Sequence, residues 1–314
     1  MAALTLIEAS KLNDGDVHRA AVIEMFAANS DILRVLPFED VQGGSLSYNQ
    51  EGKLPGVAFR GFNEAYSTSA GVLNPQVEVL KIAGGDLDVD KAILKTRGQD
   101  QRSVQEAMKV KALSLYLTGK VINGDSESDQ RQFDGIRKRI IGYQLVTANY
   151  TTTNTNEPLS LESMDAAVDR VDNPTHLLMS KDMRRKLTVA ARNYQVGGFI
   201  DTALDEFGRR VVVWNDLPVL IVDYDDTGAH IIDFNELGPS GGASYVCQSL
   251  YVVSVGTGML TGIQNGVMEV TDLGELQTQP TMRTRVEWLV GLCAMHGRCA
   301  SRIWGITNAP ATAT

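Results

Sequence analysis

Side chains suited to catalysis or metal binding are scattered along this sequence. The four histidines stand far apart and form no HExxH or HxH pair, which is the arrangement that a zinc site requires. Cys247, Cys293 and Cys299 are an odd set without CxxC spacing, which predicts neither a disulfide framework nor a zinc knuckle and fits a reducing compartment. These residue types therefore indicate no metal site.

Two loops imitate ligand-binding motifs without completing them. Gly256, Gly258 and Gly262 give GxGxxxG, whereas a dinucleotide loop needs GxGxxG ahead of a helix. Residues 223–228 begin like a calcium loop, but the twelfth position is Phe234, where a bidentate glutamate is needed. We interpret both segments as turns, and we expect no enzyme activity and no cofactor.

The charge balance argues against tight binding of nucleic acid. The chain carries 29 Lys and Arg against 38 Asp and Glu, a net charge of -9 with a pI near 5.0. An acidic chain gains little from releasing the counterions of DNA. The short basic runs at 137–139, 184–186 and 209–210 leave three interpretations open: contact with phosphate, contact with an acidic neighbour, or a solvated face.

Length and hydropathy set the scale of the fold. The 314 residues, 43% of them hydrophobic, suffice for about two domains with a sizeable core. No stretch approaches the roughly 18 consecutive apolar residues of a membrane span, and charged residues interrupt any secretion signal at the start. We therefore expect no membrane partner.

The first ninety residues predict an arm followed by a long extended excursion. Apolar residues at 21, 22, 25 and 26 have helical spacing. Strand-like segments at 46–48 and 77–82 then flank a polar, Gly-rich stretch. An isolated hairpin is marginal in water, so either another surface covers it or the segment is a large loop packed on its own domain.

The strongest helical pattern covers residues 99–121, with Asp100 as a plausible N-cap and Asn123-Gly124 as the stop. At about 1.5 Å per residue this helix is on the order of 35 Å long, enough to be the backbone of a domain. Its apolar stripe is expected to face the core, and it comprises Val104, Met108, Ala112 and Leu115.

The rest of the chain predicts a mixed α/β unit followed by strands. Asn215-Asp216 is expected to be a turn between two short strands, and residues 308–314 read as a polar tail without a core role. Gly238, Gly241 and Gly242 lie in a candidate flexible loop. The predicted helices are 160–171 and 180–193, and the predicted strands are 210–214, 217–222, 245–255, 262–271 and 282–290.

The order of these pieces resembles the major capsid proteins of tailed phages with the HK97 fold. Residues 47–93, with the turns LPG and FRG, resemble the extended E-loop. The segment DQRSVQEAMKVKALSLYLTGKVINGD is similar to the spine helix. The ending MRTRVEWLVGLCAMHGRCASRIWGI is similar to the closing strands, in which an Arg-rich strand runs through a GL step into a final RIxGI strand.

The resemblance implies an α+β fold with four parts. These are an N-terminal arm (1–35), a β-hairpin E-loop (36–86), a P-domain with the spine helix (87–135 and 259–298), and an α/β A-domain with the C-terminal tail (136–258 and 299–314). It further implies a structural protein that self-assembles into pentamers and hexamers of an icosahedral phage head around double-stranded DNA. Scaffolding, portal and decoration proteins are the implied partners, and contact with DNA is expected to be weak and non-specific.

Within this resemblance, assembly residues take the place of catalytic ones. Lys53, Arg60 and Glu64 at the E-loop tip are candidates for charge pairs between subunits, and a solvated tip is the alternative. The glycine loop is a candidate for a symmetry axis or interface. Two other functions stay open: an encapsulin-like protein compartment, and an α/β enzyme or binding protein with a carboxylate of raised pKa among Asp201, Asp205, Glu206 and Asp223.

Overall fold

A computed structural model describes residues 4–5, 30–97, 100–149, 155–191, 200–204, 210–241 and 246–312. The predicted arm helix around residues 21–26 lies outside these ranges, and so does Gly242. The strands are β1 (Leu4–Thr5), β2 (Pro37–Asp40), β3 (Ser45–Lys53), β4 (Val72–Val79), β5 (Lys81–Asp90), β6 (Leu145–Thr147), β7 (His176–Met179), β8 (Ile200–Leu204), β9 (Arg210–Trp214), β10 (Leu217–Ile221), β11 (Gln248–Val253), β12 (Leu260–Gln264), β13 (Glu269–Glu275), β14 (Thr281–Ala294) and β15 (Ala300–Ile306). The helices are α1 (Asp31–Val35), α2 (Lys91–Arg97), α3 (Asp100–Asn123), α4 (Ile136–Arg139), α5 (Leu161–Asp169) and α6 (Lys181–Ala191), with a 3-10 turn at Gly142–Gln144.

The first sheet is built around the long strand β14. Its strand order is β1-β2-β12-β14-β13, and β5 also pairs with β14. The pairing of β5 with β14 is antiparallel over ten residues, from Lys81 opposite Val290 to Asp90 opposite Thr281. Helix α3 packs on this sheet, because Val110 of the helix shares one buried cluster with Trp288 of β14. This sheet and α3 share one buried core.

The second sheet has seven strands in the order β6-β15-β11-β7-β10-β9-β8. Helices α5 and α6 pack on it through Met164 and Met183, both fully buried beside Leu177 of β7. The predicted hairpin between β9 and β10 is confirmed. Its turn residues Asn215 and Asp216 have φ values of 45° and 65°, which are the positive angles that a two-residue type I′ turn requires.

A third, two-stranded sheet stands by itself and consists of β3 and β4. The pairs run from Ser45 opposite Val79 to Lys53 opposite Val72, with an irregularity between Glu51 and Lys53. Residues 54–71 form its tip, and we call β3, the tip and β4 together the hairpin. The extended excursion expected from the sequence is thus present. Strands β2 and β5, which fall wholly or partly in the predicted segment 36–86, belong instead to the first sheet.

The prediction for α3 assigned the wrong face of the helix to the core. Val104 and Met108 are 52% and 60% exposed, while Ala112 and Leu115 are half-buried. At about 100° per residue, the predicted stripe and the observed one lie on nearly opposite faces of the helix. Periodicity revealed an apolar face, but the helix has two of them and the sheet covers the other. The buried residues are Val110, Leu113, Ser114, Leu117, Thr118, Val121 and Ile122.

Two smaller predictions also fail. The strand predicted over 262–271 is two strands, β12 and β13, separated by a turn with Gly266 at a φ of 72°. The tail is not idle, because the backbone of Thr312 accepts a hydrogen bond from Leu161 N (3.0 Å) and donates one to the Leu159 carbonyl (2.9 Å). Main-chain pairing, which side-chain hydropathy does not report, holds the tail beside the segment that leads into α5.

Candidate assembly surfaces

The tip of the hairpin carries large apolar side chains in full contact with solvent. Val57 is 96% exposed, Leu54 is 71% exposed, and Phe59 and Phe62 are completely exposed. Contiguous apolar surface of this kind usually marks an interaction site, because its hydration is unfavourable. The tip therefore has the composition of a contact surface, and no other part of the described chain covers it.

Two of the three charged residues predicted at the tip make contacts within the tip itself. Arg60 Nη1 donates to the carbonyl of Glu64 at 3.2 Å, and its guanidinium lies 5.2 Å from the centre of the Tyr66 ring. Glu64 Oε2 accepts from Gly61 N at 2.8 Å. Lys53 is exposed at the end of β3. The structure brings Arg60 and Glu64 together in one turn and places Lys53 apart, and charge pairing with another subunit stays a prediction for all three.

The stem of the hairpin has two unlike faces. On β4, Leu73, Val77 and Val79 lie at alternate positions and are 60%, 59% and 50% exposed. Residues of one strand at even spacing share a face, so they form an apolar row turned away from the body. On the opposite face, the Tyr48 hydroxyl donates to the Ala294 carbonyl at 3.1 Å. Among the described residues, only the inner face of the hairpin is covered.

Helix α3 presents the second uncovered apolar surface. Val104 and Met108 are one turn apart on its outer side, and Ile93 of the adjacent helix α2 is 45% exposed. Residues at i and i+4 share one face of a helix. We call Val104, Met108, Ala112 and Leu115 the outer stripe of α3. Sequence reasoning found these residues but assigned them to the core.

The glycine loop is a packed turn in the described residues. A Cβ on Gly238 would lie 2.0 Å from Asn156 Oδ1 and 2.7 Å from Cys247 Sγ, so only glycine fits there. Gly241 N donates to the Gly238 carbonyl at 3.2 Å, and Gly241 has a φ of 70°. Close packing at Gly238 contradicts a freely flexible loop at that residue. A position at an axis or interface stays a prediction for this loop.

The basic run at 137–139 lies in the one-turn helix α4, and each of its cations meets carboxylates. Arg137 Nη1 lies 3.4 Å from Glu236 Oε1. Lys138 Nζ lies 2.6 Å from Asp125 Oδ1 and 3.2 Å from Asp134 Oδ1. The interpretation as contact with acidic neighbours is therefore the one that the structure supports for this run.

Arg139, the third cation of this run, pairs with Glu78 of the hairpin. Its Nη1 contacts Glu78 Oε1, and its Nη2 lies 2.9 Å from Glu78 Oε2. The same guanidinium donates to the carbonyls of Leu292 and Asp134, each at 2.9 Å. Arg139 is 17% exposed and Glu78 is 20% exposed, so this bidentate pair is largely shielded from water.

Of the four carboxylates considered for an enzyme site, the structure describes the side-chain surroundings of Asp223. Asp223 contacts the Lys181 ammonium and lies 3.2 Å from His230 Nδ1 at a cavity of about 240 Å³, whereas Asp205 and Glu206 lie outside the described residues. In the ranges that the structure describes, no three His, Cys, Asp or Glu side chains are grouped to hold a metal ion. Across the same ranges, no helix combines the length and the apolar character that crossing a bilayer needs.

Comparison with known proteins defines the fold. No family model and no curated protein matches this sequence. Among solved structures, the holo-SrpI encapsulin complex from Synechococcus elongatus PCC 7942 is similar, with 15% identity, a TM-score of 0.63, and coverage of 88% of this chain and 87% of that chain. A structure from Mycobacterium phage Bobi matches with 12% identity and a TM-score of 0.59, covering 87% and 89% of the two chains.

The capsid of a native GTA particle is similar as well, with 12% identity, a TM-score of 0.56, and coverage of 89% and 91%. Identities this low define a fold and nothing finer. The chain has the α+β HK97-like capsid fold, and the fold expected from the sequence is confirmed.

Proposed function

We propose that this chain is the structural subunit of a closed protein shell. The observation that carries the proposal is the hairpin, whose tip exposes Phe59 and Phe62 completely. A soluble subunit that stayed alone would leave this apolar surface in water permanently. A second copy that covers it removes that cost, and repetition around closed symmetry covers every copy equally.

In this proposal the hairpin is the E-loop, the first sheet with α3 is the P-domain, and the second sheet is the A-domain. The hairpin of one subunit lies over the outer stripe of α3 in its neighbour. Both surfaces are apolar and exposed, at Val77 and Val79 on the hairpin and at Val104 and Met108 on the helix. Each contact is small, and the many contacts of a ring supply the avidity.

We further propose that the shell is the icosahedral head of a tailed phage, built from pentamers and hexamers, assembled in the host cytoplasm and filled with double-stranded DNA. Scaffolding, portal and decoration proteins are its proposed partners. The net charge of -9 supports weak, non-specific contact with the genome, because a strongly basic wall would hold DNA tightly. No catalytic role is assigned to the chain.

The proposal is tested by expressing the full chain alone and examining it by light scattering and negative-stain electron microscopy. We expect rings of five or six subunits or closed particles tens of nanometres across. A monomer at every concentration, also when scaffolding protein is co-expressed, contradicts the proposal. The particle contents separate the two kinds of shell, since nuclease-protected DNA fits a phage head and co-purified protein cargo fits an encapsulin-like compartment.

A further inference from the structure

The hairpin is joined to the body by few contacts. Within the described ranges, its two strands pair only with each other, and its connections are residues 41–44 on one side and Leu80 on the other. Gly43 has a φ of 102°, and a Cβ placed on Gly43 or Gly44 would meet nothing within 4 Å. One backbone bond, from Leu80 N to the Gly44 carbonyl (2.9 Å), closes the base. Backbone geometry alone therefore leaves the direction of the hairpin weakly determined.

Side-chain contacts hold the hairpin against the rest of the chain. Among the described residues, Arg139 with Glu78 is the one ion pair that connects the hairpin to the rest of the chain. The Tyr48 hydroxyl and a small apolar cluster around Cys293 add to it at the same end of the stem. Beyond them, a cavity of about 460 Å³ opens between the inner face of the hairpin and the body.

The guanidinium of Arg139 is also held in place by two backbone carbonyls. Its bonds to the carbonyls of Leu292 and Asp134 hold the guanidinium on the first sheet before it reaches Glu78. Two residues earlier, Arg137 reaches Glu236, which is 3% exposed and pairs with Arg302 of the second sheet at 2.6 Å. One helical turn thus contacts the hairpin and the first sheet directly, and it is linked to the second sheet through Glu236.

We propose that α4 connects the hairpin to the two larger sheets and that Arg139 is the positioning residue that sets the angle between the hairpin and the rest of the chain. A planar guanidinium that binds a carboxylate in bidentate fashion constrains direction as well as distance. Glu78 lies next to the hinge at Leu80, so a small displacement there becomes a large one at the tip. This consequence depends on the proposed shell: there, Arg139 would set the angle between neighbouring subunits.

The test measures the hairpin angle directly in the full chain. Spin labels are placed through Ser67→Cys at the tip and Lys111→Cys on α3, both exposed positions, and a small fraction of labelled chain is mixed with unlabelled chain. The native cysteines do not interfere, because all three are buried. Burial raises the pKa of Cys293 to about 12 and that of Cys299 to about 11. Double electron–electron resonance then reports the distance within one chain, and it is recorded on the unassembled chain, in which no neighbour holds the hairpin.

Glu78→Gln removes the ion pair and leaves both carbonyl bonds of Arg139 in place, so the fold is expected to persist. We expect the tip-to-helix distance distribution to broaden about twofold or more, because the remaining contacts at the base are few. Arg139→Lys, which keeps the charge and loses the bidentate geometry, is expected to broaden it as well.

The matched control is Asp88→Asn. Asp88 binds Arg283 through two bonds of 2.6 Å, but both residues lie in the ten-residue ladder between β5 and β14, so the hairpin should not move. An unchanged distribution in both Glu78→Gln and Arg139→Lys overturns the proposal, and equal broadening in Asp88→Asn does so too. The spin-label distance tests the hairpin angle, whereas light scattering and electron microscopy test shell formation. A failure of one proposal is therefore distinguished from a failure of the other.

Discussion

Arg302 Nη2 of β15 lies 2.6 Å from Glu236 Oε2, and Arg302 Nε donates to Ser249 Oγ at 2.9 Å. Both charged side chains are buried, with 3% of Glu236 and 10% of the Arg302 side chain exposed. Taking two charges out of water is costly, and their mutual attraction offsets this only while both partners are present.

Glu236→Gln is therefore expected to destabilise the subunit by about 3–5 kcal/mol, because the Arg302 charge is left buried without its counter-ion. Urea unfolding of the chain measures the loss. Replacing both residues, Glu236→Gln with Arg302→Met, should recover much of it. A double variant less stable than the single one would show that the network contributes more than its charges.

The two faces of α3 predict opposite outcomes for the same kind of substitution. Leu117→Asp puts a carboxylate into the core, where the leucine is 2% exposed, and should unfold the subunit because an unpaired buried charge costs several kcal/mol. Met108→Asp changes a side chain that is 60% exposed and should leave the fold intact while it blocks assembly. Circular dichroism and electron microscopy separate the two effects. Shells of normal yield from Met108→Asp would remove the outer stripe from the proposed interface.

Deletion of residues 52–71 removes the tip of the hairpin and most of its exposed aromatic surface. Since this segment contributes nothing to the buried clusters, the truncated chain should keep the melting temperature of the unassembled full chain and fail to close into shells. Light scattering checks assembly and calorimetry checks the fold. Normal shells from the truncated chain would contradict the covering role of the hairpin.

Stability is expected to fall in acid through the loop before α4. The Lys138 ammonium, with further bonds from Ser128 Oγ and Glu127 N, holds the pKa of Asp125 well below its usual value of 3.8. A carboxyl with a lowered folded-state pKa stabilises the fold above its unfolded value, and this contribution is lost as the pH falls below about 4. Unfolding titrations between about pH 5 and pH 2 should show a shallower slope for Asp125→Asn than for the native chain. Lys138→Met should reduce the slope in the same way, and equal slopes in all three chains would contradict this assignment.

Local signals in the sequence were sufficient for much of the fold. Asn215-Asp216 indicated its hairpin because side-chain chemistry and turn geometry involve the same few residues. The long helix was expected over 99–121 and is observed as Asp100–Asn123. The order of hairpin, long helix and closing strands carried the resemblance to the capsid fold.

The side-chain partners could not be found in this way. The contact of Arg139 with Glu78 spans 61 positions of the chain, so the basic run by itself could not identify its partner among phosphate, carboxylate and solvent. The phase of the α3 stripe failed for a related reason. Val104 and Leu117 are both apolar, and only the position of the sheet decides which of them is buried.

In the proposed shell, the exposed face of α3 also ties the stability of the chain to its concentration. Any partner that binds the folded chain and not the unfolded one raises its apparent stability by mass action. Leu117 is 2% exposed and Met108 is 60% exposed, so one helix would serve both the core and the contact with a neighbour. If the shell forms, dilution lowers the melting temperature of the chain, and the closed shell resists heat better than the separate chains.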